Sequence, residues 1–207
     1  GLGDVYKRQV WKDLGTWNSL SEEMSTNAVG NVIIDQSCVN THVINELDIP
    51  VVTMGTKDMI AVASLDGILI SDKGESMKVK EAVSKIEFPP RYEERRWGTI
   101  KVIDVTDEGG FINTTRKLKM FEGLNSSYHY HNSRDEVWTM LKGNAEIIIN
   151  GIKQLIYAGE VIRIPSGTKH AVRALTDIEF IEIQFGKSIA DNDLNRLTLK
   201  WDEINYK

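Results

Sequence analysis

The reading of this chain turns on GLNSSYHYHNSRDEVWTMLKG at residues 123–143 and GEVIRIPSGTKH at residues 159–170. The first stretch spells G-x5-H-x-H-x4-E-x6-G through Gly123, His129, His131, Glu136 and Gly143. The second spells G-x5-P-x-G-x2-H through Gly159, Pro165, Gly167 and His170. Side chains alternate along a strand, so His129 and His131 share one face. Glu136 further along and His170 from a later strand can then close a three-histidine, one-carboxylate set around a divalent metal. Imidazole and carboxylate suit Zn, Mn, Fe or Ni, and spacing does not choose among them. Strand-like runs surround these residues at 136–141, 145–150, 154–157, 161–164 and 179–185. Turn signals at Asn150-Gly151, Ala158-Gly159 and Pro165-Ser166-Gly167 separate them, and many short strands with regular turns predict a mainly β jelly roll.

The two stretches resemble the paired signature blocks of the cupin superfamily. Every position of the first block matches, and the second lacks only its closing Asn, where Ala174 stands. The resemblance implies a double-stranded β-helix with a metal held by His129, His131, Glu136 and His170.

Outward from that centre, 207 residues leave room for one large domain or two modest ones. A net charge of −5 with scattered Lys and Arg offers no basic stripe, so nucleic acid is not an expected partner. The single Cys38 excludes an intramolecular disulfide and fits a reducing compartment. No apolar run approaches the roughly 20 residues of a membrane span, and no signal-type apolar region stands near the start. No membrane partner is therefore expected, and the expected location is cytoplasmic. A homo-oligomer is compatible with the composition.

Residues 1–9, GLGDVYKRQ, resemble the translation of a transposon adapter used in sequencing-library preparation, so native sequence is expected from Val10 and the segment is left out of fold reasoning. Next comes WKDLGTW at 11–17, then a short helical stretch through Met24 and strands at 32–34, 42–44, 50–53, 59–64 and 67–70. WKDLGTW resembles the W-x-D-x-G-[ST]-W element of mannose-1-phosphate guanylyltransferases. Gly30-Asn31, Cys38-Val39-Asn40, MGTKD at 54–58 and SLDGILI at 64–70 follow in that family's order. The resemblance implies a small α/β remnant of a nucleotidyltransferase domain over 10–86, with Asp13 helping to hold Mg²⁺ at nucleotide phosphates. Taken by itself, Asp13 also suits a tight turn before Gly15. The Gly-rich phosphate loop of that family is missing from the sequence, so the chain is expected to be a C-terminal fragment that transfers no nucleotide. A helix is expected over 76–86, with Ser76 as N-cap and Val79, Val83 and Ile86 on one face. The EFPPR run breaks it and opens a linker over 87–95.

The second domain is expected over 96–207. RRWG at 95–98, IEIQFG at 181–186 and DNDLNR at 191–196 bracket it. They resemble the opening and close of the C-terminal cupin of bifunctional guanylyltransferases, the type II mannose-6-phosphate isomerase. That family reads Q-x-H-x-H-R-x-E-H-W across its first block. Aligning Arg134, Glu136 and Trp138 places its Gln at His129, its second His at Ser133 and the His after its Glu at Val137. The implied reaction interconverts mannose 6-phosphate and fructose 6-phosphate through an enediol, with Arg196 facing the sugar phosphate. Alternatively, Arg196 forms a surface ion pair with Asp191 or Asp193. No general base is named by the sequence; Glu182 and Gln184 share a strand face of unknown direction. Trp97, Trp138 and Trp201 are expected in core or seam positions, and Tyr128 and Tyr130 point away from the histidines. The departures at Ser133 and Val137 leave a second function class open, a metal-holding module that binds a sugar or mediates oligomerisation without turnover.

Overall fold

A computed structural model describes residues 17–86, 90–187 and 193–206. The chain divides into two compact units, Gly1–Pro89 and Pro90–Lys207. Asp13, Asp191 and the adapter-like segment lie outside the described residues.

In the first unit a short helix, α1 (Trp17–Glu23), precedes β1 (Ala28–Val29), β2 (Val32–Ile34), β3 (His42–Asn45), β4 (Val51–Thr53), β5 (Met59–Ala63) and β6 (Ile68–Asp72). Strands β1, β3 and β5 pair in parallel and β6 closes that sheet antiparallel, while β2 and β4 pair in parallel in a second sheet. Parallel neighbours need a crossover connection, usually a helix. Here each crossover carries a strand of the other sheet, so the chain winds as a flat coil. Asn40 and Asp58 take left-handed backbone, at φ 49° and 47°, a conformation their short polar side chains tolerate. The Asn40 amide donates to the Asp58 carboxylate at 2.6 Å and ties the two turns together. Val43, Ile60, Ala61, Val62 and Ala63 are buried in this unit.

The helix expected over 76–86 differs from what forms. A 3₁₀ helix, Lys73–Lys78, runs into α2 (Val79–Val83). Its N-cap is Asp72, whose carboxylate accepts from the Gly74 amide at 2.7 Å, while Ser76 is buried inside the turn. The cap at Asp72 nucleates the tight turn before the apolar spacing begins. Val83 and Ile86 are consequently exposed rather than packed.

The second unit comprises β7 (Tyr92–Arg95), β8 (Gly98–Glu108), β9 (Phe111–Met120), β10 (Tyr128–His131), β11 (Arg134–Lys142), β12 (Asn144–Ile149), β13 (Ile152–Tyr157), β14 (Val161–Ile164), β15 (His170–Ala174), β16 (Ile178–Gly186) and β17 (Leu194–Thr198). They form two sheets, ordered β13-β12-β15-β10-β17 and β14-β11-β16-β9-β8-β7. From β10 onward the chain steps between the sheets at each connection except the β12–β13 hairpin, the wiring of a jelly roll. Strand β7 corrects the linker: Tyr92–Arg95 lies within the stretch read as a connection. The edge of β8 offers it a complete antiparallel ladder, from Tyr92 opposite Lys101 to Arg95 opposite Gly98.

Alternation places Arg134, Glu136, Trp138 and Met140 of β11 inside, and Ile178, Phe180, Glu182, Gln184 and Gly186 of β16 beside them. From Met140 back to Arg134 on β11, and from Ile178 on to Gln184 on β16, the inner face passes from apolar to polar. The apolar end joins Ile147, Val172 and Ala174 of the other sheet in one core, whose burial contributes about 25 cal/mol per Å². Ala174, where the cupin block carries Asn, is part of that core. Gly143 turns β11 into β12 at φ +79°, and a Cβ there would stand 2.3 Å from the Asp177 carbonyl oxygen. Only glycine combines that backbone with that approach. The charged end is where the histidines gather.

Candidate metal centre

His129 and His131 leave β10 on one face, as their spacing requires, and His129 stands directly opposite His170 of β15. Ring centroids lie 4.8 Å apart for His129 and His131, 4.3 Å for His129 and His170, and 5.6 Å for His131 and His170. One ligand nitrogen from each lies within 4.8 Å of the others, a set able to hold a metal ion. The turn that delivers His170 depends on Gly167, at φ +78°, whose amide donates to the His131 carbonyl at 2.6 Å.

The tautomers follow from the backbone. Nδ1 of His129 lies 2.8 Å from the Ser127 carbonyl, Nδ1 of His170 lies 2.9 Å from the Thr168 carbonyl, and Nδ1 of His131 lies 3.3 Å from the Asp193 carbonyl. A carbonyl only accepts, so each Nδ1 carries the proton and each Nε2 is left as a lone pair. A Glu136 oxygen lies 3.1 Å from Nε2 of His131, and its other oxygen 3.5 Å from Nε2 of His170. Lone pairs therefore face lone pairs at the buried end of the roll, with the Arg134 guanidinium at their edge, 3.4 Å from His131 Nε2 and 3.7 Å from a Glu136 oxygen. Nε2 of His170 is buried with no hydrogen-bond partner. A cation among these atoms satisfies all of them at once, and the residues present fit a divalent metal.

Electrostatics agree. Burial, reinforced by neighbouring His170, pushes His129 down to about 3, so its imidazole is neutral and ready to ligate. Burial alone would raise the Glu136 carboxyl, but positive charge at the facing His131 and His170 Nε2 positions outweighs it and holds the group well below the usual carboxylate range, the same pull that a cation bound between them would exert in place of those protons. Two neutral donors also grip Glu136. Trp138 Nε1 donates to Oε2 at 3.0 Å and Gln184 Nε2 donates to Oε1 at 2.8 Å.

Around these residues opens a cavity of about 380 Å³, lined by Trp97, Arg95, Arg116, Arg134, Arg196, Glu182 and Gln184 together with His129, His131 and Glu136 of the centre. Half-buried Arg116 forms an ion pair with buried Glu182. Burial raises the Glu182 carboxyl, a rise that Arg116 restrains and the nearby Glu136 charge reinforces. Arg196, opposite His129 in the β10–β17 register, reaches the cavity from the other sheet. Asp193, one of its two expected ion-pair partners, instead accepts from the Asn132 and Ser133 amides and closes the turn between β10 and β11.

The structure thus brings together His129, His131, His170, Glu136 and Arg196, whereas Asp13 lies outside the described residues. Glu182 and Gln184 both turn inward. Ser133 and Val137 do not line the cavity: Ser133 sits in the turn above it, and Val137 alternates with Glu136 and Trp138 to the other face of β11. Trp138 and Trp201 are buried, and Trp97 packs against the core while also lining the cavity. Sequence reasoning missed the grip of Trp138 on Glu136 and the whole contribution of Arg116. The first had a signal, since Trp138 is two residues from Glu136 and shares its face. Arg116 had none, because its neighbour Glu182 is 66 residues away.

Fold and centre together define a jelly-roll protein of the cupin class. A family model described as mannose-6-phosphate isomerase C-terminal matches residues 90–199, and the chain belongs to that family. Among curated proteins, mannose-1-phosphate guanylyltransferase of Escherichia coli K12 is 30% identical over 94% of this chain and 42% of its own length. The xanthan biosynthesis protein XanB of Xanthomonas campestris is 27% identical over 90% of this chain and 41% of its own. The chain thus spans well under half the length of these relatives. Among solved structures, KdgF from Halomonas sp. is similar with a TM-score of 0.43 and 18% identity, over 52% of this chain and 94% of that one. Among the described residues, no helix is long and apolar enough to cross a membrane.

Proposed function

We propose that residues 90–207 are a sugar-phosphate isomerase that interconverts mannose 6-phosphate and fructose 6-phosphate, with His129, His131, His170 and Glu136 holding a divalent metal. The observation that carries this reading is the convergence of three Nε2 lone pairs and a carboxylate at the wall of an arginine-lined cavity. When bound, the metal would polarise the sugar carbonyl and stabilise negative charge as the enediol forms. Arg196 receives the phosphate, since a guanidinium pairs with phosphate oxygens through two parallel donors. Glu182 is the cavity carboxylate not used to hold the metal. Its burial favours proton uptake, and it carries the proton between the neighbouring carbons.

Ser133 and Val137 stand where the resembled isomerases carry histidines, but both lie outside the cavity lining. Their loss therefore removes nothing from this centre, which favours turnover over a purely metal-holding module. The relatives' names support a setting in nucleotide-sugar and polysaccharide synthesis, and residues 10–86 as part of a guanylyltransferase domain. The test is proton exchange at C2 of mannose 6-phosphate, followed by NMR in D₂O with the metal-loaded chain. Metal-dependent loss of the C2 proton signal is expected. Binding of the sugar phosphate without any exchange would establish the non-catalytic module instead.

A further inference from the structure

Gln184 has two ends, and the proposed chemistry uses only one. Its Nε2 donates to Glu136 Oε1, and a carboxylate has nothing but acceptors. Turning the amide over would set a carbonyl against a negative oxygen, so the orientation is fixed by its partner. Fixing it strands the other end: Gln184 Oε1 is buried without a hydrogen-bond partner, in a side chain 1% exposed that lines the cavity. A buried acceptor left unpaired is unfavourable and rare. Of the side-chain donors that line the cavity beside it, Trp138 Nε1 is engaged with Glu136, the Arg116 guanidinium with Glu182, and the Arg134 guanidinium with His131 and Glu136. The missing donor has to arrive with a ligand. Carbonyl and phosphate oxygens are acceptors and cannot serve, whereas an O–H can.

We propose that Gln184 Oε1 accepts a hydrogen bond from one hydroxyl of the bound sugar chain, making Gln184 a specificity-determining residue that selects polyhydroxylated substrates. This rests on the reading of the cavity as a sugar-phosphate site. The same amide then couples recognition to the centre, because its other end aims Glu136.

The test is calorimetric binding of mannose 6-phosphate and its 2-, 3- and 4-deoxy analogues to the zinc-loaded chain, with zinc content measured alongside. Deleting one particular hydroxyl should weaken binding about tenfold or more, since it leaves Oε1 unpaired again. In Gln184→Met that difference should shrink below about threefold while zinc stays bound. Gln184→Asn, which withdraws the amide by one methylene, should show the same collapse should the Met variant fail to fold. An equal loss for every ligand in the variants would reduce Gln184 to a support for Glu136 and overturn the proposal. A flat deoxy series in the unaltered chain would also overturn it and identify water as the donor. If the unaltered chain binds none of these ligands, the sugar-phosphate reading falls together with this one.

Discussion

Each unit buries one polar cluster built around histidine, and the two clusters are finished differently. In the first unit Lys73, 7% exposed, donates from Nζ to Asn40 Oδ1 at 2.7 Å and meets His42 Nδ1 at 2.8 Å. An ammonium only donates, so His42 accepts at Nδ1 and carries its proton on Nε2. Asn40 passes the chain on to Asp58. Donor meets acceptor at each of these contacts. In the second unit the backbone holds all three imidazoles in the opposite tautomer, and their lone pairs converge on a carboxylate and a cavity. A satisfied buried network builds structure, whereas one whose acceptors face each other marks a place for a cation.

The contrast can be broken most decisively at His131. His131→Ala should take bound metal from about one ion per chain to almost none, measured by elemental analysis. C2 exchange should fall about 10³-fold with it, the worth of several kcal/mol of charge stabilisation. Retained stoichiometry would show that the converging lone pairs are not the binding site. Glu182→Gln separates proton transfer from metal binding. Exchange should drop about 10²-fold or more while the metal remains, and an unchanged rate would move the base elsewhere.

The closed cluster predicts the reverse pattern. Lys73→Met removes the hydrogen bonds that the buried ammonium gives to Asn40 and His42, so urea unfolding should reveal a loss of about 1 kcal/mol with metal content unchanged. Metal loss in this variant would contradict the division of roles.

Smallest is a pH effect. Burial, helped by the Lys73 charge, holds His42 below its ordinary value, and burial likewise lowers Lys73 against the pull of Asp58 and Glu22. Below about pH 6.5 the unfolded chain takes up a proton at this histidine that the folded chain resists. Stability is therefore full above that pH and declines as pH falls. His129, depressed to about 3, adds a slope of the same sign in the metal-free chain. Thermal melts of metal-free His42→Gln between pH 7 and 5 should show a shallower decline than the unaltered chain. An identical slope would mean that His42 carries no part of it.

The sequence made one of these clusters visible and hid the other. His129, His131, Glu136 and His170 were legible because strand alternation and turn spacing fix their faces locally. Glu182 and Gln184 were visible as a pair, but their direction depends on which sheet β16 joins, a tertiary fact. Arg116 and the Lys73–His42 contact join residues far apart, and no local pattern announces them. The 76–86 helix failed for another reason. Its apolar spacing was real, yet the cap at Asp72 and the shortness of α2 left Val83 and Ile86 without a surface to cover. The long β8–β9 hairpin also escaped notice, because the outer part of β8 is exposed and reads as polar sequence.

All four histidines of the chain enter the most direct test, long-range ¹H–¹⁵N NMR of the imidazoles with and without one equivalent of zinc. The account predicts that zinc shifts Nε2 of His129, His131 and His170, leaves their Nδ1 protonated, and leaves His42 unmoved with its proton on Nε2. Zinc that shifts His42, or that binds without moving the three Nε2 signals, would contradict it.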